Sequence, residues 1–342
     1  MKILVEMKHG LGDCVCMLPA LKAIRQKNPE AYIALLVNGK ANEEIFRHSN
    51  IKINKYYYFS LKNRSKVYTI KTLFQLLKER FNVGILATMT PKEKGKALFK
   101  LLGIKRTFGE QYLGLDFLTL ESTKHFVDRN LDMISSFVGK TDDRQPHLYP
   151  SDEDSIRLKD RFSQLKGRKI AVNIGGADKN YYKGQYVYTR NWKKENMVDL
   201  VKKLSSLDNC SIFLLGGKLE EGLLSDYQDL LKKDNVYNFV NQTSIGETIY
   251  ILSQCDCSVG VDTGMQHVAD ALGKKTISIF GPTNPKTHGA YSSKAVFVQA
   301  SPRVSCQYCF GKDIYYECPD RKCLNQITSE HVFDVVKNTI GL

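Results

Sequence analysis

The sequence predicts an α/β protein made of two Rossmann-like domains with parallel sheets that face across a cleft. Short apolar runs alternate with helical patterns through both halves of the 342 residues, which is typical of parallel sheets. A polar stretch with two prolines, residues 141–155, separates the halves and has the composition of a linker. Several apolar runs end in Gly-containing turns, and ligands bind at that edge of such a sheet.

The first half begins with an apolar run, a glycine turn and a helical pattern that Asn28-Pro29 ends. The predicted elements are a strand at Lys2–Met7, a helix at Val15–Gln26, a strand at Ala31–Val37, and further strands at Ile51–Phe59, Val83–Thr88 and Asp116–Leu120.

The second half repeats the alternation, and its apolar runs are followed by Gly-Gly, Asp-Thr-Gly and Gly-Pro turns. The predicted strands are Lys169–Ile174, Ser211–Leu215, Val236–Val240, Cys257–Val261 and Thr276–Phe280. The predicted helices are Glu195–Leu204, Leu219–Leu231, Ile245–Ser253, Met265–Leu272 and Glu330–Ile340.

Positive charge is concentrated in the first half. The whole chain has a formal net charge of +14, and residues 1–150 hold 25 Lys and Arg against 14 Asp and Glu. Residues 52–106 hold 14 basic residues, while Glu79 and Glu93 are their acidic ones. A solubilising face is the ordinary explanation, but this much charge of one sign favours an acidic partner. Since no zinc-finger, homeodomain or RNP motif occurs, we expect an anionic glycolipid or membrane surface and no nucleic acid.

The N-terminus resembles a strand and has neither the apolar core nor the cleavage site of a signal peptide. No apolar run approaches the ~18 residues that a membrane span requires. The expectation is a cytoplasmic protein, with peripheral contact at the cytoplasmic face of the inner membrane.

The first turn, HGLGD, contains Gly10, Gly12 and Asp13 between a strand and a helix. It matches a dinucleotide-binding fingerprint only in part, because the third glycine position is Val15 and the second strand ends at Asn38 instead of an acidic residue. The glycines instead allow a tight turn that brings Asp13 to the cleft. Asp13 is either a helix N-cap or a general base that takes a proton from an acceptor hydroxyl, and the sequence leaves both open.

A second polar turn, at the end of the run CSVGV, places Asp262, Thr263, Gly264 and His267 at a helix N-terminus. The helix dipole and exposed amides there favour a diphosphate, and His267 lies in the first turn. Asp262 would repel phosphate, so we expect it to have a capping or positioning role near the ligand. The next strand ends in GPTNP, residues 281–285, which is expected to form a wall of the same pocket.

The nine cysteines divide into two groups. Five lie in apolar runs and are expected to be buried and inert: Cys14, Cys16, Cys210, Cys255 and Cys257. Four have the spacing C-x2-C-x8-C-x4-C: Cys306, Cys309, Cys318 and Cys323. In a cytoplasmic chain this spacing favours a structural zinc or iron over disulfides. Four unligated thiols are the alternative.

Together these motifs resemble the family 9 glycosyltransferases, the bacterial heptosyltransferases. The resemblance is carried by GLGDCVCMLPALKAIR near the N-terminus, by LLGGKLEE at 214–221, and by DTGMQHVADALGKKTISIFGPTNPKTHG at 262–289. It implies a GT-B fold with an acceptor domain at 1–150 and a nucleotide-sugar donor domain at 151–328 that includes the cysteine cluster at 306–323. Residues 329–342 would form a helix that packs back on the N-terminal domain.

The resemblance also implies roles for single residues. Asp13 matches the family's general base, and Asp262, Thr263, Gly264 and His267 match its donor-site motif. Glu220 resembles the acid that holds the nucleoside. Arg190 stands where a lysine usually faces the diphosphate. The tyrosine-rich stretch 181–188 is unusual and is either a loop over the cleft or a surface strand.

The function so implied is an inverting glycosyltransferase that moves a heptose from ADP-heptose to a hydroxyl of a lipopolysaccharide-core-type acceptor, without a catalytic metal. The cysteine cluster would be structural and lie away from the chemistry. It resembles an iron-binding cluster in enzymes that heptosylate autotransporter adhesins, so protein O-heptosyl transfer is one alternative. A non-catalytic nucleotide-sugar-binding protein and an NAD-linked enzyme are alternatives from other classes.

Overall fold

The structure of the chain, a computed structural model, describes residues 1–59, 65–88, 90, 92–110, 123–176 and 179–342. The chain divides into two compact units, Met1–Tyr149 and Pro150–Leu342. The boundary lies within the polar stretch 141–155, whose composition predicted a linker.

The first unit contains a five-stranded parallel sheet with strand order β3-β2-β1-β4-β5. Its strands are largely apolar and its central ones are buried on both faces, as expected where helices cover a parallel sheet. In chain order the elements are β1 (Lys2–Met7), α1 (Leu11–Lys27), β2 (Tyr32–Val37), α2 (Lys40–Arg47), β3 (Lys55–Tyr58), α3 (Lys66–Glu79), β4 (Val83–Leu86), α4 (Lys92–Leu101), β5 (Arg106–Phe108) and α5 (Phe126–Val138).

Two elements of this unit, α1 and β3, differ most from their predicted bounds. Helix α1 begins at Leu11, four residues before the predicted start, because the Asp13 carboxylate accepts a hydrogen bond from the Gly10 amide and caps the first turn. Strand β3 begins at Lys55, opposite Ala34 of β2, so residues 51–54 of the predicted strand lie outside the ladder, although the Asn54 amide donates to the Ile33 carbonyl at 2.9 Å. The strand predicted at 116–120 lies outside the described residues.

The second unit contains a six-stranded parallel sheet of order β10-β9-β6-β11-β12-β13 and a separate antiparallel pair, β7-β8. Its elements are α6 (Asp152–Ser155), α7 (Lys159–Ser163), β6 (Arg168–Asn173), β7 (Lys179–Tyr182), β8 (Gln185–Tyr188), α8 (Lys194–Leu204), β9 (Cys210–Leu215), 3-10 helices at Lys218–Tyr227 and Leu230–Lys232, β10 (Val236–Asn238), α9 (Ile245–Gln254), β11 (Cys257–Val261), α10 (Gly264–Ala271), β12 (Lys275–Ile279), α11 (Pro285–His288), β13 (Ala295–Val298), α12 (Asp313–Glu317), α13 (Lys322–Asn325) and α14 (Ser329–Ile340).

The α-helix predicted over 219–231 is wrong in type, because two short 3-10 helices occupy this stretch. Glu220 turns back to cap the first of them, and Gly222 inside it has low helix propensity. The tyrosine-rich stretch is the hairpin of β7 and β8, so the surface-strand interpretation describes it. Lys183 and Gly184 join these strands with positive φ values of 45° and 86°, as a tight two-residue turn requires.

The last helix, α14, packs into the core of the second unit. Val332, Val336 and Ile340 are buried there together with Leu200 and Leu204 of α8. Its predicted packing on the N-terminal domain stays a prediction. In the described part of the chain, no helix combines the length and the apolar character that crossing a membrane demands.

Candidate active site

Four neighbouring strands of the second sheet end in the segments that carry the predicted donor-site residues. The strands β9, β6, β11 and β12 are adjacent in the sheet, and they lead to Glu220, Gly175, Asp262 and Thr283 in that order. Parallel strands lie ~4.8 Å apart, so the ends of β9 and β11 are separated by about 10 Å. The predicted donor residues Glu220, Asp262, Thr263 and Gly264 therefore lie along one carboxyl edge, whereas Arg190 follows β8 of the separate pair.

Asp262 connects two of these loops. Its carboxylate is 4% exposed, accepts a hydrogen bond of 2.6 Å from Oγ1 of Thr283, and lies 3.2 Å from Nη1 of Arg190. Burial alone would raise the pKa of Asp262, but the charge of Arg190 and the Thr283 hydrogen bond hold it below the usual value. Asp262 is thus an ionised carboxylate that positions a guanidinium at the sheet edge.

The N-terminus of α10 follows Asp262 directly. Thr263 is its N-cap residue, with extended backbone, yet its side chain makes no capping hydrogen bond. The Thr263 hydroxyl is buried and has no hydrogen-bond partner among the described residues. His267 lies in the first turn of the helix, and in its protonated form it helps to lower the pKa of Asp262. A helix N-terminus with a buried donor and a nearby guanidinium is an arrangement that binds anions.

Glu220 lies in the turn after β9 and is 7% exposed. One carboxylate oxygen accepts a hydrogen bond of 2.8 Å from the Gly217 amide. Its side chain fits because Gly175 and Gly216 lie against it. A Cβ added at Gly175 would lie 2.3 Å from Glu220 Cγ, and one added at Gly216 would lie 2.8 Å from Glu220 Cβ. The carboxylate is therefore fixed by packing as well as by its hydrogen bond.

In the first unit, Asp13 occupies the third position of α1. Gly10 is the N-cap residue, so the interpretation of Asp13 as the N-cap is wrong in position; from the third position its carboxylate accepts a hydrogen bond of 3.0 Å from the Gly10 amide and so caps the same turn. Asp13 is half-buried and also lines a small cavity of about 10 Å³ with Thr88 and Asn130. The hydroxyl of Thr88 donates to Asn130 at 2.9 Å. The cap therefore leaves the carboxylate partly exposed, and a role as a base stays a prediction.

A buried pair that sequence reasoning missed lies beside this turn. Nε2 of His9 is 3.3 Å from Oε2 of Glu6 and 2.9 Å from Oγ1 of Thr90, and the Thr90 hydroxyl also donates to Glu6. Burial would lower the pKa of His9, but the hydrogen bond and charge of Glu6 raise it above 6.5, with a smaller contribution from Asp13. Burial would likewise raise the pKa of Glu6, whereas His9 and Lys8 keep it below 4.5.

The comparisons with known proteins agree with these motifs. The family model of glycosyltransferase family 9 (heptosyltransferase) matches residues 115–318. The chain belongs to glycosyltransferase family 9. It is 24% identical to lipooligosaccharide heptosyltransferase 2 of Campylobacter jejuni, over 98% of this chain and 98% of that protein.

Solved structures share the fold of the transferase over nearly its whole length. A family 9 glycosyltransferase from Veillonella parvula superposes with a TM-score of 0.79 at 18% identity, covering 99% of this chain and 97% of that one. The structure described as E. coli ADP-heptose lps heptosyltransferase II gives 0.74 at 17% identity, covering 99% and 98%. The transferase therefore has the GT-B fold, and the prediction of two parallel-sheet α/β domains is confirmed.

The segment that contains the four spaced cysteines packs directly on the candidate site of the transferase. The amide of Cys309 donates to the Pro282 carbonyl at 3.0 Å, and Nε2 of Gln307 donates to the Gly281 carbonyl at 2.6 Å. The ring of Phe310 meets that of His288 edge-on, with centroids 4.9 Å apart. The segment therefore supports the turn that follows β12, and the expectation that the cysteine cluster lies away from the chemistry stays a prediction.

The same segment also supports the loop of Arg190. Oγ1 of Thr189 donates to the Tyr315 hydroxyl at 2.6 Å, and both side chains are buried. Nη1 of Arg321 lies 3.2 Å from the Thr189 carbonyl and from the Tyr315 carbonyl. The residues on both sides of Asp262, Arg190 and Thr283, are thus supported by one segment of the chain.

A metal at the four spaced cysteines is not supported by the geometry. The cysteines are close enough to affect one another, since burial and then the neighbouring thiols raise the pKa of Cys323 to about 11. However, the described residues contain no group of three or more His, Cys, Asp or Glu arranged to hold a metal ion. Cys306 is exposed, whereas Cys309 and Cys323 are buried. The predicted structural iron or zinc therefore stays a prediction.

The other five cysteines are buried, as expected. Burial raises the pKa of Cys14, Cys210, Cys255 and Cys257. These thiols pack as small apolar side chains.

Sequence signals existed for some of the residues that the predictions omitted. Thr283 belongs to the turn 281–285 that was predicted only as a wall of the pocket, His288 lies inside the motif at 262–289, and Glu6 interrupts the apolar run of β1. Tyr315 and Arg321 had no such signal, because their partner Thr189 is more than 120 residues away in the chain.

Proposed function

We propose that the transferase moves a heptose from ADP-heptose to a hydroxyl of a lipopolysaccharide-core-type acceptor, with inversion at the anomeric carbon. The observation that carries this proposal is the buried, unpartnered hydroxyl of Thr263 at the N-terminus of α10, beside the Arg190–Asp262 ion pair, within the described residues. A relative of the same fold is described as an ADP-heptose lipopolysaccharide heptosyltransferase.

The diphosphate of the donor binds at the N-terminus of α10 in this proposal. The amide of Gly264 and the hydroxyl of Thr263 donate to phosphate oxygens, while Arg190 and His267 supply positive charge. Asp262 does not touch the phosphate but holds the guanidinium in place. Fixed donors aimed at the charge that develops on a leaving group make a large contribution to catalysis.

The nucleoside binds toward Glu220. About 10 Å separates the ends of β9 and β11, which suits a nucleoside at one end and a diphosphate at the other. One oxygen of Glu220 is held by Gly217, and the carboxylate retains further capacity to accept hydrogen bonds from hydroxyl groups of a ribose.

Asp13 is the proposed general base. The acceptor hydroxyl gives its proton to the Asp13 carboxylate and its oxygen forms a bond to the anomeric carbon. The bond from that carbon to the diphosphate oxygen breaks on the opposite face, and ADP leaves with the electron pair. Arg190, His267 and the helix N-terminus stabilise the charge on ADP, so no metal ion is part of the proposed step.

The acceptor is proposed to be an anionic glycolipid because residues 52–106 of the N-terminal unit carry 14 basic and two acidic residues. A protein hydroxyl is the other acceptor class. This alternative rests on the resemblance of the four-cysteine segment to the iron-binding cluster of enzymes that heptosylate autotransporter adhesins. The glycolipid is the better-supported acceptor, because the relative that matches over 98% of this chain is a lipooligosaccharide heptosyltransferase.

The test is to measure thermal stabilisation by ADP-heptose and other nucleotide sugars, followed by release of ADP when a purified lipopolysaccharide core acceptor is added. Ligand binding to the native state raises the melting temperature by mass action. We expect stabilisation by ADP-heptose that Thr263→Val abolishes, and ADP release that requires the acceptor. Stabilisation by another nucleotide sugar would mean that the donor is different. Binding of a nucleotide sugar with no release of ADP when either a glycolipid or a protein acceptor is added would indicate a non-catalytic binding protein.

A further inference from the structure

Helix α3 of the N-terminal unit exposes a stripe of large apolar side chains. Val67, Ile70, Phe74 and Leu77 have relative exposures of 77%, 54%, 60% and 36%. Their spacing of three, four and three residues places them on one side of an α-helix. Single exposed apolar residues are common, but a continuous stripe indicates an interaction surface.

The stripe is not the side by which α3 is attached to its unit. Thr69, Thr72 and Leu76 are the buried residues of this helix, and Leu76 belongs to the core above the first sheet. At 100° per residue, the centre of the exposed stripe lies on the opposite side of the helix from Leu76. Folding of the unit therefore does not cover the stripe.

Positive charge surrounds the stripe. Lys66, Lys71 and Lys78 on α3 are exposed, and Lys71 and Lys78 flank the stripe along one edge. Helix α4 packs on the same face of the sheet, since Phe99 shares a core with Leu76. In α4, Lys94 and Lys100 are exposed, as is Leu101 at 57%.

We propose that the exposed face of α3, defined by Val67, Ile70, Phe74 and Leu77, docks the transferase on an anionic lipid bilayer. The apolar side chains enter the boundary between headgroups and acyl chains, and the lysines of α3 and α4 contact the anionic headgroups. An apolar stripe edged by lysines on a surface helix is the pattern of helices that lie in a membrane interface. A protein partner with an acidic rim would fit the charge less well, because the lysines extend along two helices around a narrow apolar centre.

This inference deepens the proposed function by giving the site of membrane contact, and it rests on that function only for the identity of the acceptor. Binding to lipid needs neither donor nor transfer, so the two can fail independently. A lipid-anchored acceptor would gain from the docking because it confines enzyme and acceptor to one surface.

The test is co-sedimentation of the full chain with two kinds of vesicle. One kind is phosphatidylcholine alone, and in the other phosphatidylglycerol makes up about a third of the lipid. We expect binding to the anionic vesicles only. The double variant Val67→Ser with Phe74→Ser should reduce the partition coefficient by about tenfold or more, because it removes most of the apolar area of the stripe. Lys71→Glu should reduce it by roughly fivefold or more and make the residual binding less sensitive to salt.

The matched control is Ile156→Ser, since Ile156 is as exposed as Val67, at 77%, but lies in the second unit. Its binding should equal that of the unchanged protein. Donor-induced thermal stabilisation should be the same in all of these variants, which shows that they are folded. Equal binding to neutral vesicles, binding that survives the double variant, or self-association that the double variant abolishes would each overturn the proposal.

Discussion

Arg190 and Asp262 form an ion pair at the carboxyl edge of the second sheet, with Nη1 of the arginine 3.2 Å from Oδ2 of the aspartate. The same oxygen accepts the hydroxyl of Thr283, so a single carboxylate oxygen connects the loops after β8 and β12. Because the aspartate is 4% exposed, the pair depends on both partners. Removal of Arg190 would take away the largest favourable charge that acts on Asp262.

Asp262→Asn should therefore weaken donor binding without touching the donor. The amide keeps the shape but loses the charge that holds the guanidinium, and the loss of one partner of a buried ion pair costs about 3 kcal/mol of stability. We expect a lower melting temperature and at least tenfold weaker binding of ADP, measured by calorimetry. Thr283→Ser keeps the hydroxyl and is the control that should bind normally. Unchanged ADP affinity in Asp262→Asn would contradict the positioning role.

Asp13→Asn separates the two roles of this residue. Asparagine can still accept the hydrogen bond from Gly10, so the stability should change by less than about 1 kcal/mol. It cannot take up a proton, so kcat should fall by about a hundredfold to ten-thousandfold if Asp13 is the general base. Comparison of kcat with the melting temperature checks this. Near-normal turnover in Asp13→Asn would leave Asp13 as a cap alone.

Gly175→Ala should disturb the nucleoside end of the site through Glu220. The new Cβ would lie 2.3 Å from Glu220 Cγ, so the glutamate has to move, at a cost of about 1–3 kcal/mol. We expect Gly175→Ala to bind ADP more weakly than the control variant Gly222→Ala does. At Gly222 no atom lies within 4 Å of the added Cβ. If both variants bind ADP equally well, Glu220 does not contact the nucleoside.

The Glu6–His9 pair should make stability depend on pH. The pKa of His9 is raised on folding, so its contribution is complete below pH 6.5 and is lost as pH rises through the higher folded value. The pKa of Glu6 is lowered, so its contribution is present above pH 4.5 and is lost as pH falls through the lower folded value. Denaturant unfolding from pH 5 to 9 should show a free energy of unfolding that declines on the alkaline side. His9→Gln should remove that decline, and a decline of equal size in this variant would exclude His9 as its source.

Tyr315→Phe tests the support that the cysteine-containing segment gives to the loop of Arg190. The change removes the acceptor of the Thr189 hydroxyl in a buried setting, which costs about 1–2 kcal/mol. We expect a lower melting temperature and a several-fold loss of ADP affinity. The adjacent Tyr316→Phe is the matched control, since Tyr316 is half-buried and stacks on Tyr182 through its ring. An equal loss of affinity in both variants would indicate a general destabilisation instead.

Most of the sheet strands of the second unit could be predicted because their apolar runs are long and bounded by glycine turns. The strand register then places Glu220, Asp262 and Thr263 at one edge, and this needs no knowledge of side-chain contacts. The 3-10 geometry of 218–232 could not be predicted, because it depends on how Glu220 folds back onto Gly217. Contacts such as Tyr315 with Thr189 join distant segments, and no local pattern encodes them.

The candidate donor site draws its residues from the loops after four strands of one sheet and from the loop after β8, and a segment near the C-terminus supports the loops after β8 and β12. It follows that exchange of a single loop between two transferases would not transfer the preference for a particular nucleotide sugar. Recombination between homologous transferases would transmit that preference only if the exchanged block contained the whole stretch from Gly175 to Arg321, since a crossover within that stretch would separate residues of the site from one another or from the segment that supports them.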